Sequence, residues 1–399
     1  MNINFNEIQN KSNNDKLKNL AEQKLNISLF PSSNILELIN YYNDFKEHNY
    51  IHDLLGYKPD FQKSICNIHN LLYELSLKYK EVIVFGFDAI SFEYYLSDIS
   101  VQSKNQYNYL IGVLSTIFPS TTSAAWPSII TGTTPSEHGI YGTSFLHEDY
   151  NQNYVWLRNK LCHKGQNTVL DCDVNVSLTN KPTIFQRLCK IGVDSYFLGS
   201  PGYGDINPLR TEITNGSIII KPEDDYYTQR MYNPQALLDS FMQKTEDLFI
   251  ENPNRKLIFN YIDFDEYIHR NGYNKLSETL YWDKLFSFFD KNKSCDRVFV
   301  CFSDHGQIEQ QNINIDILSE SEKANHLAYN TGGAGRVLYF YPQCDNEVDA
   351  INWINKVIGN SGTILKKSDL IKYGLLDSNA IALNRIGEYI AIAQNNNFP

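Results

Sequence analysis

No stretch of about 18 apolar residues occurs in the chain, which excludes a helix that crosses a membrane. Residues 1–8 (MNINFNEI) lack a basic start followed by an apolar run, so no signal peptide is expected and the protein is expected in the cytoplasm. No CxxC pair is present. The cysteines Cys66, Cys162, Cys172, Cys189, Cys295, Cys301 and Cys344 are odd in number and fit reduced thiols in a cytosolic protein. No basic stripe relieves the net charge of −11, which argues against a nucleic acid polymer or an anionic membrane as the main partner. Internal repeats are missing, and the Asn-rich stretches read as background composition.

What is there suits a large globular enzyme. The 399 residues are 42% hydrophobic and 20% charged, enough for one large α/β core with insertions. Residues 1–80 read as a helical extension, with apolar residues at helical spacing in Asn34–Phe45 and Ile65–Tyr79. From residue 81 to 399 the pattern is that of a catalytic domain. Glu81–Phe87 is a short apolar run ending in Asp88, as expected of a parallel strand buried on both faces. Ser195–Leu198, Lys256–Ile262 and Arg297–Phe302 are similar; the last two lead into Asp263 with Asp265, and into Asp304. Helical patterns over Thr183–Ile191, Pro234–Phe249, Leu276–Phe289 and Asn346–Ile358 alternate with them. Strand–helix alternation implies a mostly parallel sheet with helices on both faces. In such sheets ligands bind at the carboxyl ends of the strands, where three acidic clusters fall. The less regular stretch 145–255 is expected to carry a small cap or lid.

Three short constellations carry the chemistry. In Phe118–Ile140 (FPSTTSAAWPSIITGTTPSEHGI), Thr122 stands where a loop becomes a helix running to about Ile130. A helix N-terminus offers unpaired N–H groups and about half a positive charge, which suits a hydroxyl that must become an alkoxide beside a phosphate. An ordinary helix cap is the competing reading of that threonine. In Asp265–Gly272, an acid and His269 four residues apart share one helix face and could meet one ion. In Ser303–Gly306, adjacent Asp304 and His305 reach one ion where the backbone turns sharply, a turn that Gly306 would permit. Mixed oxygen and nitrogen ligands suit Zn²⁺ or Mn²⁺, and two ions about 4 Å apart could clamp an in-line displacement.

Together these motifs resemble the alkaline phosphatase superfamily, and within it the type I phosphodiesterase/nucleotide pyrophosphatase family, over roughly residues 81 to 342. In that family a strand-end Asp precedes a Thr that lies nine residues before a T-G-x-x-P-x-x-H-G-I block; Asp88, Thr122 and Thr131–Ile140 match. D-x-x-x-H-x-x-G is matched by Asp265, His269 and Gly272, and S-D-H-G by Ser303–Gly306. The resemblance implies an alkaline-phosphatase-like fold and two divalent metal ions, most simply zinc, with manganese as the alternative. Asp88, Asp304, His305 and the Thr122 oxygen would hold one ion. Asp265, His269 and a later histidine would hold the other; His326 is the one histidine after His305. His138 is expected to be structural.

The implied reaction is hydrolysis of a small phosphodiester or nucleotide-like substrate through a phospho-threonine on Thr122. The chain departs from nucleotide pyrophosphatases at Thr143, where they often place a phosphate-binding Asn, and at Ser123, where they often place Phe. Thr143 and Trp126 are the substrate-binding candidates. Tyr203, Tyr226 and Tyr227 are candidates for stacking an aromatic leaving group. A phosphomonoesterase or phosphonate hydrolase on the same scaffold is the alternative, and a catalytically reduced, metal-containing binding protein is the alternative of another class. The sulfatase motif C/S-x-P-x-R is missing.

Overall fold

The computed structural model describes residues 65–91, 94–99, 114, 116–147, 149–156, 160–162, 169–171, 181–199, 213–221, 225–251, 254–307, 325–373 and 375–393. The expected helix Asn34–Phe45 lies outside them, as do Tyr203 and Arg210.

Helix α1 (Asn67–Lys78) leads into β1 (Glu81–Asp88). Helices α2 (Thr122–Thr131) and α3 (Pro135–His138) follow, then the short strands β2 (Ser144–His147), β3 (Gln152–Val155), β4 (Lys160–Cys162) and β5 (Val169–Asp171). The chain continues through α4 (Ile184–Cys189), β6 (Asp194–Leu198), β7 (Ile218–Ile220), α5 (Tyr226–Tyr232) and α6 (Pro234–Glu251). Next come β8 (Lys256–Asp263), α7 (Asp265–Thr279), α8 (Trp282–Lys291) and β9 (Arg297–Ser303). The last elements are β10 (Gly332–Ala334), β11 (Val337–Phe340), α9 (Glu347–Ile358), β12 (Gly362–Lys366), α10 (Lys367–Lys372) and β13 (Tyr389–Ala393).

Among the described residues, five strands form a parallel sheet in the order β7-β6-β8-β1-β9. Alternate side chains of the apolar runs face opposite layers, which is why both strand faces need cover. Val82, Val84, Leu257, Phe259 and Tyr261 pack against α1, α2 and α4. Ile83, Phe85, Phe87, Ile258 and Ile262 pack against α5 to α8. The expected fold class, a parallel sheet with helices on both faces, is therefore what the chain adopts.

One expectation needs correction. The expected helix 276–289 is two helices, broken at Leu280 and Tyr281, both extended. Leu280 and Trp282 are buried beside the break, so tertiary burial outweighs the continuous helical pattern. The described residues of the stretch 145–255 divide between two sheets. Its first part, β2 to β5, joins β10 to β13 in a second, antiparallel sheet of order β12-β13-β11-β10-β2-β3-β4-β5. Its second part supplies β6, β7 and three helices to the main sheet. No helix among the described residues is long and apolar enough to cross a membrane. Cys66, Cys189, Cys295 and Cys301 form no disulfide, and Cys66 Sγ donates to the Thr133 carbonyl at 3.3 Å.

Candidate active site

The carboxyl ends of β1, β8 and β9 converge with the start of α2. Parallel register places Asp88 opposite Asp263 and Phe87 opposite Ser303. Asp304 follows Ser303 directly. After Asp88 the backbone enters the left-handed region at Ala89 (φ 67°), and the Ala89 N–H donates to Asp304 Oδ1 at 3.1 Å. The sharp turn therefore belongs to Ala89. Gly306 has no positive φ; a side chain there would meet Ser91 Cβ at 2.7 Å, so close approach is what requires glycine.

Thr122 opens α2 after an extended Thr121 (φ −152°). Its Oγ1 lies 3.3 and 3.4 Å from the two Asp88 oxygens and 3.0 Å from His305 Nε2. His305 Nδ1 is 3.0 Å from the Gly306 carbonyl, which only accepts, so Nδ1 carries the proton and Nε2 turns its lone pair to Thr122. Pro127 lies inside α2 and has no N–H for the Ser123 carbonyl four residues back. The buried Trp156 indole supplies that bond instead, donating to Ser123 O at 3.1 Å. Ser123 Oγ in turn pairs with Thr143 Oγ1 at 3.2 Å.

Ligand atoms of Asp88, Asp265 and His305 all lie within 4.8 Å of one another. His269 Nε2 is 3.3 Å from Asp265 Oδ2, and His305 Nε2 is 3.4 Å from Asp304 Oδ2. Burial, then the charges of Asp304, Asp265 and Asp263, push the Asp88 carboxyl well above the ordinary range. Burial raises Asp304 likewise. Burial also opposes ionisation of Asp265, but the hydrogen bond and charge of His269, with His305 and Gln307, hold it below the usual range. Asp263 is pushed up to about 6 by burial, against the pull of Arg230 at 3.0 Å. Asp304 Oδ2 is buried and makes no hydrogen bond. Crowded acids, one bare buried oxygen and a mixed oxygen–nitrogen donor set fit divalent cations of the zinc or manganese kind.

The structure thus brings together Asp88, Thr122, Asp265, His269, Asp304 and His305. Trp126 stays outside that group. The His326 ring lies on the Trp353 indole, centroids 5.2 Å apart and nearly parallel. Trp126 is fully buried beneath the sheet end, edge-on to Tyr261 at 4.6 Å, because one turn into α2 its side chain faces the strands. Tyr226 is buried against Phe241 rather than open for stacking. Thr143 reaches the first turn of α2 through Ser123. His138 is fully buried, accepting from the Ile140 N–H and pairing with Ser128 Oγ.

Sequence reasoning missed three polar neighbours. Tyr261 Oη donates to Asp88 Oδ2 at 2.5 Å. Gln307 donates its amide to the Asp265 carboxylate and carbonyl. Tyr273 Oη donates to the Ala89 carbonyl at 2.5 Å and accepts from the Gln307 N–H at 2.9 Å. Gln307 adjoins the S-D-H-G motif, a signal that adjacency alone would have raised.

Comparison with known proteins decides the family. The model of the type I phosphodiesterase / nucleotide pyrophosphatase family matches residues 82–368. The chain belongs to that family. As a member it is a hydrolase of phosphoester bonds in the alkaline phosphatase superfamily. Murine ectonucleotide pyrophosphatase/phosphodiesterase 5, solved as an inactive threonine-to-alanine variant with AMP, is a structural neighbour of this family member. It has a TM-score of 0.52 and 13% identity, with 80% of each chain covered. Phosphonoacetate hydrolase from Sinorhizobium meliloti 1021 with phosphonoformate gives 0.48 and 13%, covering 79% of this chain and 81% of that one. The same enzyme with phosphonoacetate gives 0.47 and 14% at the same coverage. No curated protein gives a significant sequence match.

Proposed function

We propose that this family member hydrolyses phosphodiester or pyrophosphate bonds of small molecules through a phospho-threonine on Thr122. Asp88, Asp304 and His305, with Asp265 and His269, would hold two divalent metal ions, zinc or manganese, with His326 as the remaining candidate ligand. The observation that carries the proposal is the Thr122 hydroxyl, set between Asp88 and His305 at the first position of α2. The bound ions would lower the hydroxyl pKa and neutralise charge that grows on the phosphoryl oxygens.

The residues have separate tasks. Thr122 Oγ1 attacks phosphorus, and the ester oxygen leaves with its bonding electrons. Its proton has acceptors at hand in the Asp88 oxygens and His305 Nε2, all within 3.4 Å. The N-terminal N–H groups of α2 favour the negative charge of the transferred group. Water then attacks phosphorus, the P–Oγ1 bond breaks, and Thr122 is restored. The neighbouring structure's inactive threonine-to-alanine variant and its AMP support a threonine nucleophile and a nucleotide-like ester here.

Preference for diesters follows from where the cations are. A monoester bears one more negative charge, and enzymes that favour it usually set Arg or Lys on it bidentately. Residues 119–134 contain no Arg or Lys. Arg230 is committed to Asp263 and Glu266, and Arg270 to Glu266. The deciding measurement compares kcat/KM for an aryl phosphodiester and the matching aryl monoester under Zn²⁺, Mn²⁺ and Mg²⁺. A diester advantage is expected. A monoester advantage moves the protein to the phosphatase reading, and no turnover of either moves it to a binding role.

A further inference from the structure

Asp88 is the acid on which the proposed site depends most, and one of its oxygens is already taken. Tyr261 Oη sits 2.5 Å from Asp88 Oδ2. Thr122 Oγ1 lies 3.3 Å from Oδ1 and 3.4 Å from Oδ2, and His305 Nε2 lies 3.3 Å from Oδ1. The arrangement is built into the sheet. Register sets Tyr261 beside Gly86, two residues before Asp88 on the same face of β1. Gly86 leaves room for the Trp126 indole; a Cβ there would stand 2.6 Å from Trp126 Cη2. Trp126 in turn packs edge-on against the Tyr261 ring at 4.6 Å. Gly86, Trp126 and Tyr261 thus form a stack whose end point is a phenol aimed at Asp88.

We infer that Tyr261 is a positioning residue for Asp88. This rests on the proposed two-metal reading of the site. Its phenol holds Oδ2, fixes the carboxylate plane beside Thr122 Oγ1 and leaves Oδ1 to face His305 Nε2. The donor is neutral, and that matters here. Asp88, Asp263, Asp265 and Asp304 crowd one site, and an Arg or Lys at this place would compete with the bound cations for the same charge. A buried phenol stabilises the carboxylate while leaving its net charge for the ions. Asp263, on the neighbouring strand, has the opposite arrangement: Arg230 neutralises it.

Tyr261→Phe tests this, because it removes one oxygen and keeps the ring between Trp126 and Asp88. Zinc titration of metal-stripped protein is read alongside kcat and KM for an aryl phosphodiester and the melting temperature of the metal-free form. The expected result is about 10- to 100-fold weaker zinc binding for one of the two equivalents. It comes with a lower kcat, an unchanged KM and an unchanged metal-free melting temperature. Zinc binding and kcat equal to wild type would overturn the inference. So would a loss matched by a fall in metal-free melting temperature, since the phenol would then be structural only. Wild type that binds no zinc and turns nothing over would overturn the two-metal reading, and this inference with it; that failure appears in the wild-type arm alone.

Discussion

Thr122, His138 and Tyr261 show three ways in which one polar atom is made to matter. Thr122 gains its role from position, at the first turn of a helix and 3.0 Å from an imidazole lone pair. Thr122→Ala should bring aryl phosphodiester turnover below detection while the zinc content stays near wild type. Thr122→Ser keeps the hydroxyl and should retain part of the rate. Near-normal turnover by the alanine variant would pass the role of nucleophile to Thr121. His138 is locked by its neighbours: the Ile140 N–H points at Nδ1, so a proton there would set two donors face to face. Burial, with the Arg385 charge adding to it, holds His138 down to about 3. The folded state therefore binds fewer protons than the unfolded state between about pH 3 and 6.5. Its share of stability is present above the unfolded value and is lost as pH falls, by about 2 kcal/mol at pH 5. Urea midpoints at pH 7.5 and 5 should show His138→Gln losing less than wild type by about that amount. An equal loss in both proteins would refute the locked imidazole.

At the scale of elements, α2 couples the site to the second sheet. Pro127 frees the Ser123 carbonyl, and Trp156, just after β3, occupies it. Trp156→Phe should leave that buried carbonyl bare and cost about 1–3 kcal/mol. In a Pro127→Ala background the helix regains its own N–H donor, so the same change should cost clearly less. Chemical denaturation of the four proteins gives this cycle directly, and an unchanged cost in the alanine background would mean that packing, not the hydrogen bond, sets the value. The long strands were readable because a parallel strand buried on both faces is a continuous apolar run with polar ends. β4, β5 and β10 are three residues each, too short to show any period, so that part of the second sheet was not.

On the scale of the whole molecule, the acids at the strand ends repel one another unless cations join them. Protein purified without chelator should carry about two equivalents of transition metal, since the clustered ligands exceed what one tetrahedral ion takes. An ion held at 100 times its dissociation constant contributes about 2.7 kcal/mol, so a chelator should lower the melting temperature by several degrees. Zinc, and less so magnesium, should restore it. One equivalent or none, with turnover intact, would sink the two-metal mechanism.

Local pattern and spacing along the chain already carried the order of strand-end acids, the helix start at Thr122 and the family. The sequence also named Asp88, Asp265, His269, Asp304 and His305, since the motifs that hold them are contiguous. Only tertiary structure decided which neighbours orient them. Tyr261 reads as one more apolar-run residue until β8 pairs with β1 and sets it beside Gly86. Trp126 looks like a site residue until α2 turns it under the sheet. Strand register and helix facing depend on contacts between residues far apart in the chain, which local pattern does not encode.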